Sequence, residues 1–359
     1  MPQNKPTTAN PRRLRHLLVA RFSAIGDVAM TVPVLYSACR CYPDVTFHLV
    51  TRPTMTSIFV NPPDNLRLIG VDVKKEYAGI RGMRRLFKEL RRDHPIDGFI
   101  DLHAVLRTFT LGAFCFFSGI PVSRINKGRG NKRALTRRRN KVMLPLISSR
   151  ARYREVFYRM GFPLTERFNG LYGGGKAPVE LFAGITPPKT DGERWVGIAP
   201  FAKHRGKIYP LELMEQVIAK LSANPKVKIF LLGGGDEERG MLGQWADKYP
   251  RVTSLAEKRH GFPVELALLS HIDVMLSMDS ANMHLASLVN IPVVSVWGAT
   301  HPYCGFKGWR QSEANTVQLP MTCRPCSVFG NKPCHRGDYY CLGGIQPSAI
   351  LTKMQPYID

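Results

Sequence analysis

The sequence predicts an α/β protein built from two doubly wound parallel sheets. Three observations carry that expectation. Short apolar runs recur through both halves without polar–apolar alternation, as strands covered on both faces require. Stretches with helical spacing separate them, the rhythm of βαβ units. Several runs end in a turn bearing Gly, Asp or Ser, and ligands of such sheets sit beyond the carboxyl ends of the strands. At 359 residues there is room for two domains with separate cores.

In chain order, the first strand is His16 to Phe22, followed by Ser23-Ala24-Ile25-Gly26-Asp27 and a helix from about Val28 to Cys39. Asp27 thus sits on a strand-to-helix turn, with Gly26 expected to supply the backbone freedom for it. Val45 to Thr51, Leu66 to Val71 and Ile96 to Leu102 read as further strands, and Ile80 to Arg92 as a helix. After Phe117 the pattern loosens until a helix near 150–160. The Gly-, Pro- and Thr-rich stretch Gly170 to Asp191 reads as an interdomain linker. The second cycle places strands at Trp195 to Ala199, Val227 to Leu232, Val252 to Leu255, Asp273 to Met278 and Val293 to Trp297, with helices at Leu211 to Leu221, Pro263 to Ser270 and Ala281 to Val289. The expected domains are 1–175 and 176–345, with a C-terminal helix over 346–359.

Charge is distributed unevenly. Residues 1–180 hold 32 Lys and Arg against 12 Asp and Glu, and the remainder holds 19 against 15. From Arg124 to Arg154 there are twelve basic residues and no acidic one. The first half is therefore expected to meet an anion-rich partner: nucleic acid, an anionic membrane surface or a phosphorylated glycolipid. Only Tyr153 supplies an aromatic ring in that stretch, which counts against stacking on single strands. No run reaches the length of a membrane span, and Met1 to Arg15 lacks the apolar stretch of a signal peptide, so a cytoplasmic location is expected.

Among motifs, Gly233-Gly234-Gly235 fails the dinucleotide spacing and no P-loop sequence occurs. Asp279, Ser280 and Ala281 lie between a buried strand and a helix carrying His284, a position suited to a phosphate; capping and packing are the structural alternatives. Phe201 to Lys207, with Lys203, His204, Arg205 and Lys207, follows the second cycle's first strand, where a pyrophosphate would be neutralised or a basic loop simply solvated. Asp27 is the carboxylate placed for general-base work, with helix capping as the alternative; a helix N-terminus favours its ionised form. Asp101, His103 and Arg107 end the fourth strand and are candidates for the acceptor side, with a surface position on a helix as the alternative for Arg107. No Asp-x-Asp pair is present to grip a metal-bound nucleotide sugar. Cys323, Cys326, Cys334 and Cys341 suit a structural zinc or remain free thiols, disulfides being disfavoured in the cytoplasm.

Together these stretches resemble glycosyltransferase family 9, the lipopolysaccharide heptosyltransferase family. The resemblance rests on Arg21 to Val28, on Lys207-Ile208-Tyr209-Pro210, on Leu231 to Gly234, on Asp279 to Ala286 and on Trp297 to Pro302, in the family's order. Cys323-x-x-Cys326 looks like the tail of many members. The resemblance implies a GT-B fold, two Rossmann-like domains facing a central cleft, with acceptor on the first and nucleotide-sugar on the second. It implies inverting transfer with no catalytic metal, with heptose from ADP-heptose as the family default. The acceptor would be an anionic, lipid-linked core saccharide at the inner-membrane surface, and no nucleic-acid partner. Asp27 matches the base and Lys207 the lysine on the donor phosphates. Asp279, Ser280 and His284 match the donor turn and helix, and Gly26, Lys203 and Ala281 fall beside these donor positions. The family turn usually has Gly where this chain has Ala281, and the basic stretch is longer than a heptose acceptor needs. A nucleic-acid-binding protein and a GT-B nucleotide-sugar epimerase are the alternatives.

Overall fold

The computed structural model describes residues 14–359. They divide into two compact units, one holding the chain up to Gly128 plus Ile147–Asn169, the other Arg129–Leu146 plus Gly170–Asp359.

In the first unit, β1 (His16–Ala20), β2 (Thr46–Thr51), β3 (Leu66–Gly70), β4 (Gly98–Asp101) and β5 (Val122–Arg124) form a parallel sheet in the order β3-β2-β1-β4-β5. Leu17, Leu18, Val19 and Ala20 of β1 are all fully buried, which explains the unbroken apolar run. The helices are α1 (Ile25–Ala29), α2 (Val32–Cys41), α3 (Pro53–Thr56), α4 (Gly79–Asp93), α5 (Leu106–Phe117) and α7 (Ser149–Arg159); α6 (Arg129–Thr136) belongs to the second unit. α4 buries Met83, Leu86, Phe87 and Leu90, a stripe at helical spacing. The chain order of the strands reverses between β1 and β4, and the loops carrying Asp27 and His103 leave the carboxyl ends of those two strands.

The second unit repeats the plan. β6 (Arg194–Ala199), β7 (Val227–Leu231), β8 (Val252–Ser254), β9 (Val274–Met278), β10 (Val293–Val296) and β11 (Thr316–Val317) are ordered β11-β10-β9-β6-β7-β8, with every pair parallel. Its helices are α8 (Leu211–Ser222), α9 (Asp236–Lys248), α10 (Phe262–Leu269), α11 (Ala281–Leu288), α12 (Tyr340–Gly343) and α13 (Pro347–Ile358). Here the switch point lies between β6 and β9, whose following loops carry Lys207 and Asp279.

Several expectations are corrected. The single helix over 28–39 is two, broken at Met30 and Thr31, because Pro33 sits in the first turn of α2 and starts a new helix. Gly26 lies inside α1 with helical backbone, so the turn does not depend on its freedom. Residues 170–191 are no loose linker. Leu171 N–H donates to the Leu288 carbonyl (2.9 Å), and Leu171, Ala177 and Phe182 are buried in the second unit. The division therefore falls between Asn169 and Gly170. Residues 129–146 also join the second unit: Lys132 lies over the Phe306 and Phe329 rings, and Lys141 Nζ donates to the Pro325 carbonyl (3.2 Å). α13 is part of the same unit, with Ile350, Met354 and Ile358 in its core.

Candidate functional site

In the first unit, α1 follows β1 so closely that Asp27 stands at the carboxyl end of the sheet. Its Oδ2 pairs with the buried Arg21 guanidinium at 2.7 Å. Arg21 also donates to the Leu102 carbonyl at the end of β4 (2.7 Å) and lies against the Tyr153 ring. The capping contact, Ala24 N–H to Asp27 Oδ2, is long at 3.4 Å. The guanidinium is thus the main anchor of the carboxylate. The Asp27 side chain keeps 31 % of its surface, and among the described residues Oδ1 has no hydrogen-bond partner. Such a carboxylate is oriented on one oxygen and open on the other, the arrangement a general base needs.

His103 lies beside it, accepting from Phe22 N–H (3.4 Å). Burial, then the cations Arg21, Lys127 and Arg107, push its pKa down to about 3, so the ring is neutral at physiological pH. Arg107 is exposed in the first turn of α5. Asp101 differs from expectation. It is fully buried, with Oδ1 accepting from the His103 and Ala104 N–H groups (2.9 and 2.8 Å) and Oδ2 from Arg124 Nε (2.8 Å). A carboxylate closed in this way shapes the loop that carries His103 and offers an acceptor nothing.

In the second unit the loop after β6 ends in a single 3-10 turn, Arg205–Lys207. Lys207 Nζ lies 2.9 Å from Asp279 Oδ2, and Thr300 Oγ1 donates to the same oxygen (2.8 Å). Asp279 is 3 % exposed, so its charge is spent on holding Lys207 and Thr300. The lysine stem runs beneath Gly330, whose φ is +75°; a Cβ there would come within 2.7 Å of Lys207 Cγ. Ser280 is the N-cap of α11 without a side-chain cap bond, its hydroxyl 3.3 Å from that of Ser277. Ala281 opens the helix, and His284 is buried one turn on. Lys203 is exposed on the loop. Lys203, Lys207, Asp279, Ser280 and His284 are therefore gathered at one sheet end within this unit, while Gly26 lies in the first unit.

Arg324 is a functional residue that sequence reasoning misses. This buried guanidinium donates to the carbonyls of Trp297, Gly298, Leu319 and Thr300 and to Gln318. It holds the loop that carries Thr300, and hence Asp279 and Lys207. A lone Arg in a Cys-rich stretch has no periodicity to expose it. The glycines at 233–235 also behave differently from a nucleotide loop. Glu238 Oε2 accepts the Gly234 N–H (2.7 Å), so α9 closes over its own start.

Cys323, Cys326, Cys334 and Cys341 line one cavity together with Lys332 and Asp338. Burial pushes Cys326 and Cys341 up to about 11, and Cys326 Sγ donates to the Cys323 carbonyl (3.1 Å). Among the described residues no three His, Cys, Asp or Glu side chains are arranged to hold a metal ion. The four thiols share this cavity, and as a donor set they suit zinc or remain free.

Two parallel sheets in tandem, each with its polar loops after the first and fourth strands, are the two halves of the GT-B fold. A glycosyltransferase family 9 structure from Veillonella parvula matches with a TM-score of 0.73 at 16% identity, covering 99% of both chains. The Escherichia coli heptosyltransferase WaaC, solved with ADP-2-deoxy-2-fluoro heptose, matches at 0.65 and 17% identity over 95% of this chain and 99% of that one. Residues 177–333 match the sequence model of glycosyltransferase family 9 (heptosyltransferase). Lipopolysaccharide heptosyltransferase 1 of Pseudomonas aeruginosa is 24% identical over 94% of this chain and 97% of its own length. Lipopolysaccharide heptosyltransferase 3 of Escherichia coli is 31% identical over a shorter region, 36% of this chain and 37% of its own. The chain is a glycosyltransferase of the GT-B fold, similar to glycosyltransferase family 9 over residues 177–333.

Proposed function

We propose that the chain is an inverting, metal-independent heptosyltransferase. It would move heptose from ADP-heptose to an anionic, lipid-linked core saccharide of lipopolysaccharide at the inner-membrane surface. The observation that carries the reading is Asp27, gripped on one oxygen by the buried Arg21 and open on the other. In this mechanism the open oxygen takes the proton of an acceptor hydroxyl as that oxygen attacks the anomeric carbon. The bond from that carbon to the leaving phosphate breaks in the same displacement, so the configuration inverts. Charge developing on the departing ADP is met by Lys207 and Lys203 and by the N-terminus of α11. Those groups supply the positive charge that a metal provides in other nucleotide-sugar enzymes. Asp279 keeps Lys207 in place, Ser280 and Ala281 form the floor under the phosphates, and His284 braces the helix below them. Arg107 and the neutral His103 face the acceptor, and the cationic surplus of the first half suits its phosphates.

The relatives' names support heptose and lipopolysaccharide as substrates. No helix among the described residues is long and apolar enough to cross a membrane, which is compatible with a peripheral enzyme. The test is Asp27→Asn, a near-isosteric change that retains an acceptor for Arg21. ADP should still raise the melting temperature while transfer falls by roughly 100-fold or more. A variant with undiminished kcat removes Asp27 from the chemistry.

A further inference from the structure

α5 is apolar on its solvent side as well as on its buried side. Its buried side, Thr108, Leu111, Gly112 and Cys115, packs on the first sheet. Its solvent side carries Leu106, Phe109, Phe116 and Phe117, which are 82, 45, 68 and 84% exposed. With Ala113 they fall in an arc of about 100° that contains no charged residue. A helix this apolar all round belongs in a core or against a partner.

The neighbouring helix supplies the chemistry of that partner. α4 lies alongside, the Phe87 and Phe114 rings stacked at 5.8 Å. Its outer face exposes Arg81, Arg84, Arg85, Lys88, Arg91 and Arg92, against Glu89 and Asp93. Arg91 reaches over the Phe87 ring at the seam, which puts cationic side chains at the edge of the aromatic strip. We propose that the α4–α5 face of the first unit docks on an anionic lipid leaflet, with Phe116 and Phe117 entering the headgroup boundary and the α4 cations meeting lipid phosphates. A second copy of the chain would set like-charged α4 helices near one another. A nucleic acid would leave the uncharged aromatic strip without a partner. The inference rests on the reading that the acceptor is lipid-linked, and its test contains no acceptor, so the two readings fail separately.

The test is co-sedimentation of the full chain with vesicles of phosphatidylethanolamine containing about a quarter phosphatidylglycerol, beside vesicles of phosphatidylcholine alone. The wild type should pellet with the first, less with the second, and less again as salt rises. Phe116→Ser/Phe117→Ser should weaken partition to the anionic vesicles by roughly 30-fold. Its melting temperature should be unchanged, because both side chains already face water. Lys88→Gln/Arg91→Gln should weaken binding to the anionic vesicles and not to the neutral ones. Undiminished partition of the Ser variant overturns the proposal. So does a concentration-dependent dimer, seen by sedimentation velocity, that the Ser variant abolishes while vesicle binding is absent.

Discussion

Asp279→Asn tests the internal logic of the second unit. The change keeps shape and removes one charge from a site where Asp279 is 3% exposed and the Lys207 side chain 14%. At 2.9 Å, the attraction is about 6 kcal/mol at an effective dielectric of about 20. Much of that is offset in the native protein by desolvation of both groups. Removing one partner forfeits the attraction and leaves the other charge uncompensated, at a cost of about 3–5 kcal/mol. Lys207 retains some contact with water, so the lower end, about 3 kcal/mol, is expected. For a unit of this size that is a fall in Tm of roughly 6–12 °C. Thr300→Val removes one hydrogen bond to the same carboxylate and should cost about half as much. Calorimetry with and without ADP separates stability from binding. Asp279→Asn should lose both the melting temperature and most of the gain conferred by ADP. Replacing both partners with Lys207→Met/Asp279→Leu should recover stability without recovering the ADP response. A melting temperature for Asp279→Asn within about 2 °C of the wild type would refute the argument that Asp279 holds a buried cation.

Two further outcomes are expected. In the first unit His48 is buried beside His16 and His94, with its Nε2 3.4 Å from His16 Nδ1. Burial first, then His94, His16 and Arg67, pushes its pKa down to about 4. The folded value lies below the unfolded one, about 6.5. Its contribution is therefore complete above pH 6.5 and lost as pH falls toward 4, by about 3 kcal/mol in all. Urea midpoints at pH 7 and pH 4.5 should fall apart for the wild type and less so for His48→Gln; equal slopes would show that His48 is not the group responsible. For the cysteines, metal analysis of the purified protein decides. Close to one equivalent of zinc would show that the four thiols close around an ion, and less than about a tenth of an equivalent would leave them as free thiols.

The parts of the fold that were legible in the sequence share a physical cause. Strands such as β1, β6 and β9 are buried on both faces, so they print an unbroken apolar run between turn residues. α5 prints no helical period in the sequence, because its buried side and its main exposed side are both apolar. The break in the 28–39 helix was hidden because Pro33 is acceptable in a first turn and says nothing of which helix it starts. Asp101 was assigned to the acceptor on its position at a strand end; its burial and its three hydrogen bonds depend on Arg124 and the 103–104 backbone, which no local pattern reveals.

By itself the sequence determined the two doubly wound sheets and which loops leave the carboxyl ends of the strands, because hydrophobic period and turn chemistry are local properties of the chain. Only the tertiary structure decided which charges meet. Arg21 on Asp27, Lys207 on Asp279, and Arg324 beneath the Thr300 loop are pairings between segments brought together by the packing of the sheets. Such pairings follow from where strands lie side by side, and the linear order of residues holds no record of them.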